Sequence, residues 1–143
     1  MAYLEENLMA GERVVYRTSL HKIVFFWPTL ILLVSLRAGM AVFLIGVAVA
    51  VYAYLRYTSS EFGVTNKRVM VKVGIFSRRS IEILLTKVEG IGVNQGMVGR
   101  SWDYGTIVVT GTGGTKEPFK MIAKPFEFRK QVQEQIAVAQ IAK

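Results

Sequence analysis

The sequence predicts a two-part fold: an N-terminal hairpin of two transmembrane helices, then a small, mainly antiparallel β barrel capped by a C-terminal α-helix. Three observations predict it. Residues Trp27 to Leu55, WPTLILLVSLRAGMAVFLIGVAVAVYAYL, hold one charge, Arg37, in 29 residues. After Arg56 the apolar run gives way to short segments that alternate apolar and polar residues. The last 19 residues repeat apolar side chains at every third or fourth position.

Composition fits this division. A chain of 143 residues has room for about one ordinary domain, yet 52% of it is hydrophobic and its mean hydropathy is +0.36. The excess is confined to residues 23–55. The chain has no cysteine, so neither a disulfide framework nor a thiolate metal site can form. Its one histidine, His21, cannot make a His-rich metal centre. No cofactor is expected. The net charge is +8, and from Thr58 onward 13 Lys and Arg stand against 7 Asp and Glu. Such a surface attracts anionic partners, either nucleic acid or the negative face of a membrane.

Arg37-Ala38-Gly39 splits the apolar region into Ile23–Leu36 and Met40–Leu55. Each piece is somewhat shorter than the roughly 20 residues that cross a hydrocarbon core of about 30 Å. As one helix the region would be too long and would place Arg37 near the bilayer centre, at about 2.5–3.5 kcal/mol or more. As two helices, each can be extended at its outer end, where Lys22 and Arg56 can snorkel to the headgroups. Phe25, Phe26 and Trp27 at the start and Tyr52, Tyr54 and Tyr57 at the end would meet at one level, as an aromatic belt. Neither helix has the polar face that a soluble helix pair would show to water. A cleaved signal peptide fits poorly, because the run starts after about 22 residues, is about twice the usual apolar length, and follows Glu5, Glu6 and Glu12. Arg13, Arg17, Lys22, Arg56, Lys67 and Arg68 flank the outer ends, against Arg37 alone at the turn. The positive-inside rule then puts both termini in the cytoplasm. The expected organisation is an N-terminal cytoplasmic segment (1–22), a membrane hairpin (23–57) and a β domain with a closing helix (58–143).

In the β domain, Arg68–Val73 places Val69, Val71 and Val73 on one face and Arg68, Met70 and Lys72 on the other. Ser80–Val88 places Ile81, Ile83 and Leu85 together. This period of two predicts strands, as it does for Thr106–Gly111 and Pro118–Ala123. Asn66 and Gly74 stand at the expected turns. At the end, Phe128, Val132, Ile136 and Ala139 form the apolar stripe of a helix, with Pro125 suited to its first turn. Antiparallel strands closed by one C-terminal helix are the element order of a pleckstrin-homology-like (PH-like) barrel.

The stretch FGVTNKRVMVKVGIFSRRSIEILLTKVEGIGVNQGMVGR, followed by DYGTIVVTGTGG, resembles the bacterial pleckstrin-homology domain family of YdbS-like membrane proteins. The shared features are a Val-Thr-Asn-Lys-Arg strand start, a Gly-hydrophobic-Phe turn, a paired basic residue, a strand with a Lys-Val pair, and a Gly-Arg followed by a Gly-Thr-hydrophobic segment. The resemblance covers roughly residues 58–138, and the preceding two-helix segment matches the family's layout. It implies anchoring in the bacterial cytoplasmic (inner) membrane with the PH-like domain on the cytoplasmic side, and it brings no catalytic residues. Trp102-Asp103 departs from the pattern, where a Leu-Gly-like pair is expected.

Catalytic patterns are weak. Without Cys, nucleophilic catalysis would need another activated nucleophile and a positioned base, and Glu82, Glu89 and Asp103 form no recognised acid/base spacing. Gly111–Thr115 lacks the Lys-Ser/Thr and the following helix of a phosphate loop. Gly90–Gly99 reads as a bent strand and loop. His21 reads as an interfacial residue. The cluster with a functional reading is Lys67, Arg68, Lys72, Arg78 and Arg79, a surface for anionic lipid or an acidic partner beside the bilayer. No series of aromatic residues interleaves with these bases as a stacking platform, and the domain is expected to be tethered to a bilayer, so nucleic acid is not expected. The predicted function is a non-enzymatic binding or scaffold module held at the cytoplasmic membrane face, with membrane lipids as partners and a second membrane protein or another copy as further candidates. The alternative is a small subunit of a membrane transport or export assembly. It is suggested by Gly39, Ala41, Gly46, Ala48, Ala50 and Ala53, which permit close helix packing.

Overall fold

The alternating segments after Arg56 fold as strands, but the first strand of the sheet comes from upstream of the apolar region. A computed structural model describes residues 3–142. The chain runs α1 (Tyr3–Glu6), β1 (Val14–Thr18), a 3-10 turn (Lys22–Phe25), α2 (Phe26–Ser35), α3 (Met40–Ser59) and β2 (Glu61–Thr65). It continues through β3 (Arg68–Val73), β4 (Arg79–Leu84), a second 3-10 turn (Leu85–Lys87), β5 (Val88–Asn94), α4 (Met97–Trp102), β6 (Tyr104–Gly111), β7 (Lys116–Ala123) and α5 (Pro125–Ile141).

The strands form two antiparallel sheets, one in the order β1-β2-β3-β4 and one in the order β5-β6-β7. The valines of β3 face the isoleucines of β4 in register, Val69 opposite Ile83 and Val71 opposite Ile81. Both sheets turn their apolar faces inward. Phe62 of β2 meets Phe119 of β7 edge-on at 6.0 Å. Ile107 and Val109 of β6 join Val69 and Val71 in the same buried core. Alternation of buried and half-buried residues is complete along β6, as period two requires.

The expected closed barrel is not formed. One seam between the sheets is stitched by the bridge from Leu20 to Ile122 and by the Thr18 hydroxyl, which donates to the Ala123 carbonyl at 2.9 Å. The other seam is open, because the stretch read as one strand over Ser80–Val88 breaks at Leu85. Leu85 there turns inward and is fully buried, and the chain enters the second sheet as β5.

The N-terminal segment expected over residues 1–22 contributes its described residues, 3–22, to the structure of the β domain. β1 pairs with β2, Arg17 opposite Gly63 and Thr18 opposite Phe62. Upstream of β1, α1 lies over the outer face of β2 and β3. Leu4 is completely buried there, and a Cβ on Gly63 would sit 2.6 Å from its side chain. This cover buries Met70, expected on a solvent face. The helical pair is thus an insertion between the first two strands of one sheet.

The expected pair of spanning helices is only partly matched. α2 and α3 pack antiparallel: Phe25, at the entrance to α2, meets Tyr57 at 5.2 Å, and Gly46 lies so close to α2 that a Cβ would stand 2.7 Å from the Ser35 hydroxyl. Among the described residues one helix, α3, is long and apolar enough to cross a membrane: it has 20 residues, and its most apolar stretch has a mean hydropathy of 1.8. Only 11% of its most apolar stretch is buried, so it is no core helix. α2 has ten residues, about 15 Å of helix.

α5 starts at Pro125 and closes the open side between the sheets. Phe128 and Val132 are buried in the core, and Ile136 packs at its edge. Asp103, where a Gly-like residue was expected, adopts the left-handed conformation (φ 56°) that ends α4. Asp tolerates it at a modest cost.

Candidate functional site

The five basic residues singled out in the sequence do not form one face. β3 separates them: Lys67 precedes its first residue, whereas Arg78 and Arg79 follow its last across a turn, and six strand residues span about 20 Å. The end of the domain carrying Lys67 is the one opposite the helical hairpin, since the hairpin leads into the start of β2, which pairs with the end of β3 (Glu61 opposite Lys72).

Three of the five hold the N-terminal segment. The Lys67 ammonium donates to the Ala10 carbonyl at 2.8 Å. Arg68 is buried, and its guanidinium donates to both carboxylate oxygens of Glu12, at 2.9 and 3.0 Å, and to Glu82 and the Asn7 carbonyl. Lys72 lies over the Tyr3 ring at 4.8 Å, a cation–π contact. Alternation along β3 puts Arg68 and Lys72 outward, but it cannot show that α1 and its loop cover that face.

Glu12 is the anionic centre of this node. Burial alone would raise its carboxyl. The Met9 N–H at 2.7 Å, the Thr65 hydroxyl at 2.6 Å and the Arg68 guanidinium outweigh burial and hold the carboxyl below its ordinary value. The network can lock the N-terminal segment to the sheet. It leaves no cation of Arg68 for an outside ligand.

Arg78 and Arg79 remain exposed at the β3–β4 turn, next to the hairpin. Arg79 pairs with Glu117 at 2.9 Å across the gap between the sheets. The turn itself meets α3: Gly74 and Ile75 line a cavity of about 280 Å³ together with Tyr52, Arg56 and Ser60 of the helix foot and Lys120 of β7. The sequence marks Arg56 by position, as the first charge after the apolar run, but gives no sign that Lys120 lies beside it, because the two come from different elements 64 residues apart.

His21 is a structural cap. Its Nδ1 accepts from the Ile23 N–H at 3.1 Å, and its ring stacks on Tyr104 at 5.3 Å, pinning the hairpin's entrance to β6. Among the described residues no cluster of His, Cys, Asp or Glu could hold a metal ion. The fold therefore brings together, at one end, the hairpin, Arg78, Arg79, Arg56 and Lys120, and at the other the Arg68 node.

No curated protein matches this chain. A family model, the bacterial PH domain, matches residues 22–136, from the hairpin's entrance through most of α5. With that match over most of its length, the chain belongs to the bacterial PH domain family.

Proposed function

We propose that the protein is a membrane-anchored, non-enzymatic binding or scaffold module, whose hairpin enters the bacterial cytoplasmic membrane and holds the PH-like domain at the cytoplasmic face. One observation carries this reading. The hairpin joins two adjacent strands, with Thr18 opposite Phe62, so its two ends must lie on the same side of any membrane it enters. A single crossing by α3 alone would tear β1 from β2. Exposure supports lipid as the surroundings: Trp27, Leu33, Val34, Leu44 and Ile45 are all exposed on the two helices, and clustered exposed apolar side chains mark an interaction site. α3 matches the core thickness. The 14 residues from Lys22 to Ser35 are shorter, and local bilayer thinning with snorkelling of Arg37 accommodates them.

Cysteine mapping in intact cells tests topology, since the chain has no cysteine of its own. A thiol reagent that cannot cross the membrane should reach Ala38→Cys at the hairpin turn and should leave Thr112→Cys in the β6–β7 loop untouched until lysis. Reaction at position 112 in intact cells would refute the orientation. A stoichiometric foreign membrane protein retained in mild detergent would instead favour the transport- or export-subunit reading. Within the hairpin, Gly46 is already occupied by contact with Ser35 and Leu32, so that small residue serves the hairpin itself.

A further inference from the structure

Around the foot of the hairpin stand exposed apolar side chains that the hairpin's own packing does not use. Phe76, in the β3–β4 turn, is 92% exposed. Gly74 shapes this turn at φ 105°, where any Cβ would run into the Ser77 carbonyl. The turn climbs alongside α3, because Gly74 and Ile75 share a cavity with Tyr52. Tyr52 lies seven residues before the end of α3, about 10 Å along the helix axis.

α4 stands in the same way beside α2. Trp102 shares an apolar groove with Phe26, Leu30 and Leu33, which places it level with the first turns of α2. At the other end of α4, Met97 is 87% exposed and Val98 is exposed beside it. Cations surround these tips: Arg56, Arg78, Arg100 and Lys120 are all exposed. Apolar tips among basic side chains, on a turn that adjoins Tyr52 and a helix that adjoins Phe26, have the composition of a lipid interface.

We infer that the β3–β4 turn and α4 are two further membrane contacts flanking the hairpin, which seat this end of the β domain on an anionic lipid bilayer with Phe76 and Met97 inserted among the upper acyl chains. The inference rests on the membrane reading of the hairpin and adds that the domain rests on the lipid rather than standing off from it. The basic residues serve at the headgroup level. Lys67 and Arg68, at the far end, take no part.

Single cysteines in the full-length chain separate the two claims. Phe76→Cys, Met97→Cys, Leu44→Cys in α3 and Thr112→Cys would each carry a polarity-sensitive fluorophore, in vesicles of phosphatidylcholine and phosphatidylglycerol. Labels at 76, 97 and 44 should emit to the blue and lose intensity when the lipid chains are brominated, whereas the label at 112 should behave as in water. Labels at 76 and 97 that stay aqueous while 44 is quenched would overturn the seated domain and leave the hairpin anchor standing. A label at 44 that stays aqueous would overturn both. All four substitutions fall at exposed side chains, so loss of fold does not confuse the result.

Discussion

At Arg68 a positive charge sits among two carboxylates, a carbonyl and almost no water. Removing one member of such a buried group leaves the others uncompensated, which costs about 3–5 kcal/mol. Arg68→Met should therefore lower the melting temperature sharply, and Glu12→Gln in the same chain should restore part of the loss. Equal melting of the single and double variants would show that Glu12 and Arg68 are not coupled. The same node sets a pH dependence. Glu12 titrates below its ordinary value of 4.5 in the folded protein. A carboxyl lowered by folding contributes stability that is present above the ordinary value and lost as pH falls through the folded one. Acidification should thus destabilise the parent through this range, and Glu12→Gln, although weaker at neutral pH, should show a shallower fall. A parallel pH profile in the two proteins would exclude Glu12 as a source.

Among the elements, α5 offers the most direct test of packing. Val132 is completely buried between the sheets, and an unpaired aspartate there costs several kcal/mol, against a whole stability of about 5–15 kcal/mol for a domain. Val132→Asp should abolish cooperative unfolding of the β domain, whereas Arg129→Ala, at the margin of the same helix, should leave it nearly intact. A parent-like melt for Val132→Asp would mean that α5 is not docked. This helix was legible in the sequence because a stripe at spacings of four, four and three is local information. β3, β6 and β7 were legible for the same reason. β2 was not, since all five of its residues, Glu61 to Thr65, are buried and no alternation survives. β1 was hidden more deeply: Val14–Thr18 is short, and its partner lies beyond the whole hairpin. Closure of the barrel depended on whether the chain continued or broke at Leu85, and an apolar residue in an alternating run favours neither. The division of the basic cluster is not legible locally, because the cover over Arg68 and Lys72 comes from residues about 60–70 positions earlier.

For the molecule as a whole, the insertion decides what can fold alone. A fragment starting at Thr58 lacks β1, Leu4 and Leu20, so it exposes the β2 edge, one outer face and part of the core. It should be insoluble or unfolded. A chain in which a short Gly-Asn turn joins Leu20 to Ser60 keeps all seven strands, and two antiparallel neighbours need only a few residues to connect them. It should be water-soluble and melt cooperatively. If the Thr58 fragment melted as well as the rejoined chain, the upstream strand would be dispensable to the fold.

The same insertion also sets a timetable for biosynthesis. β1 leaves the ribosome first, and its partner β2 follows only after residues 19–60 have been made. At roughly 5–20 residues per second this takes about 2–8 s. Local structure forms in microseconds, so α1 and β1 wait for a time that is very long on the scale of folding. During that wait Leu4, Val14 and Tyr16 have no sheet to cover or join. The hairpin is therefore complete, in whatever surroundings it takes, before the β domain can begin to close, and the nascent N-terminus must be kept from premature pairing until β2 emerges.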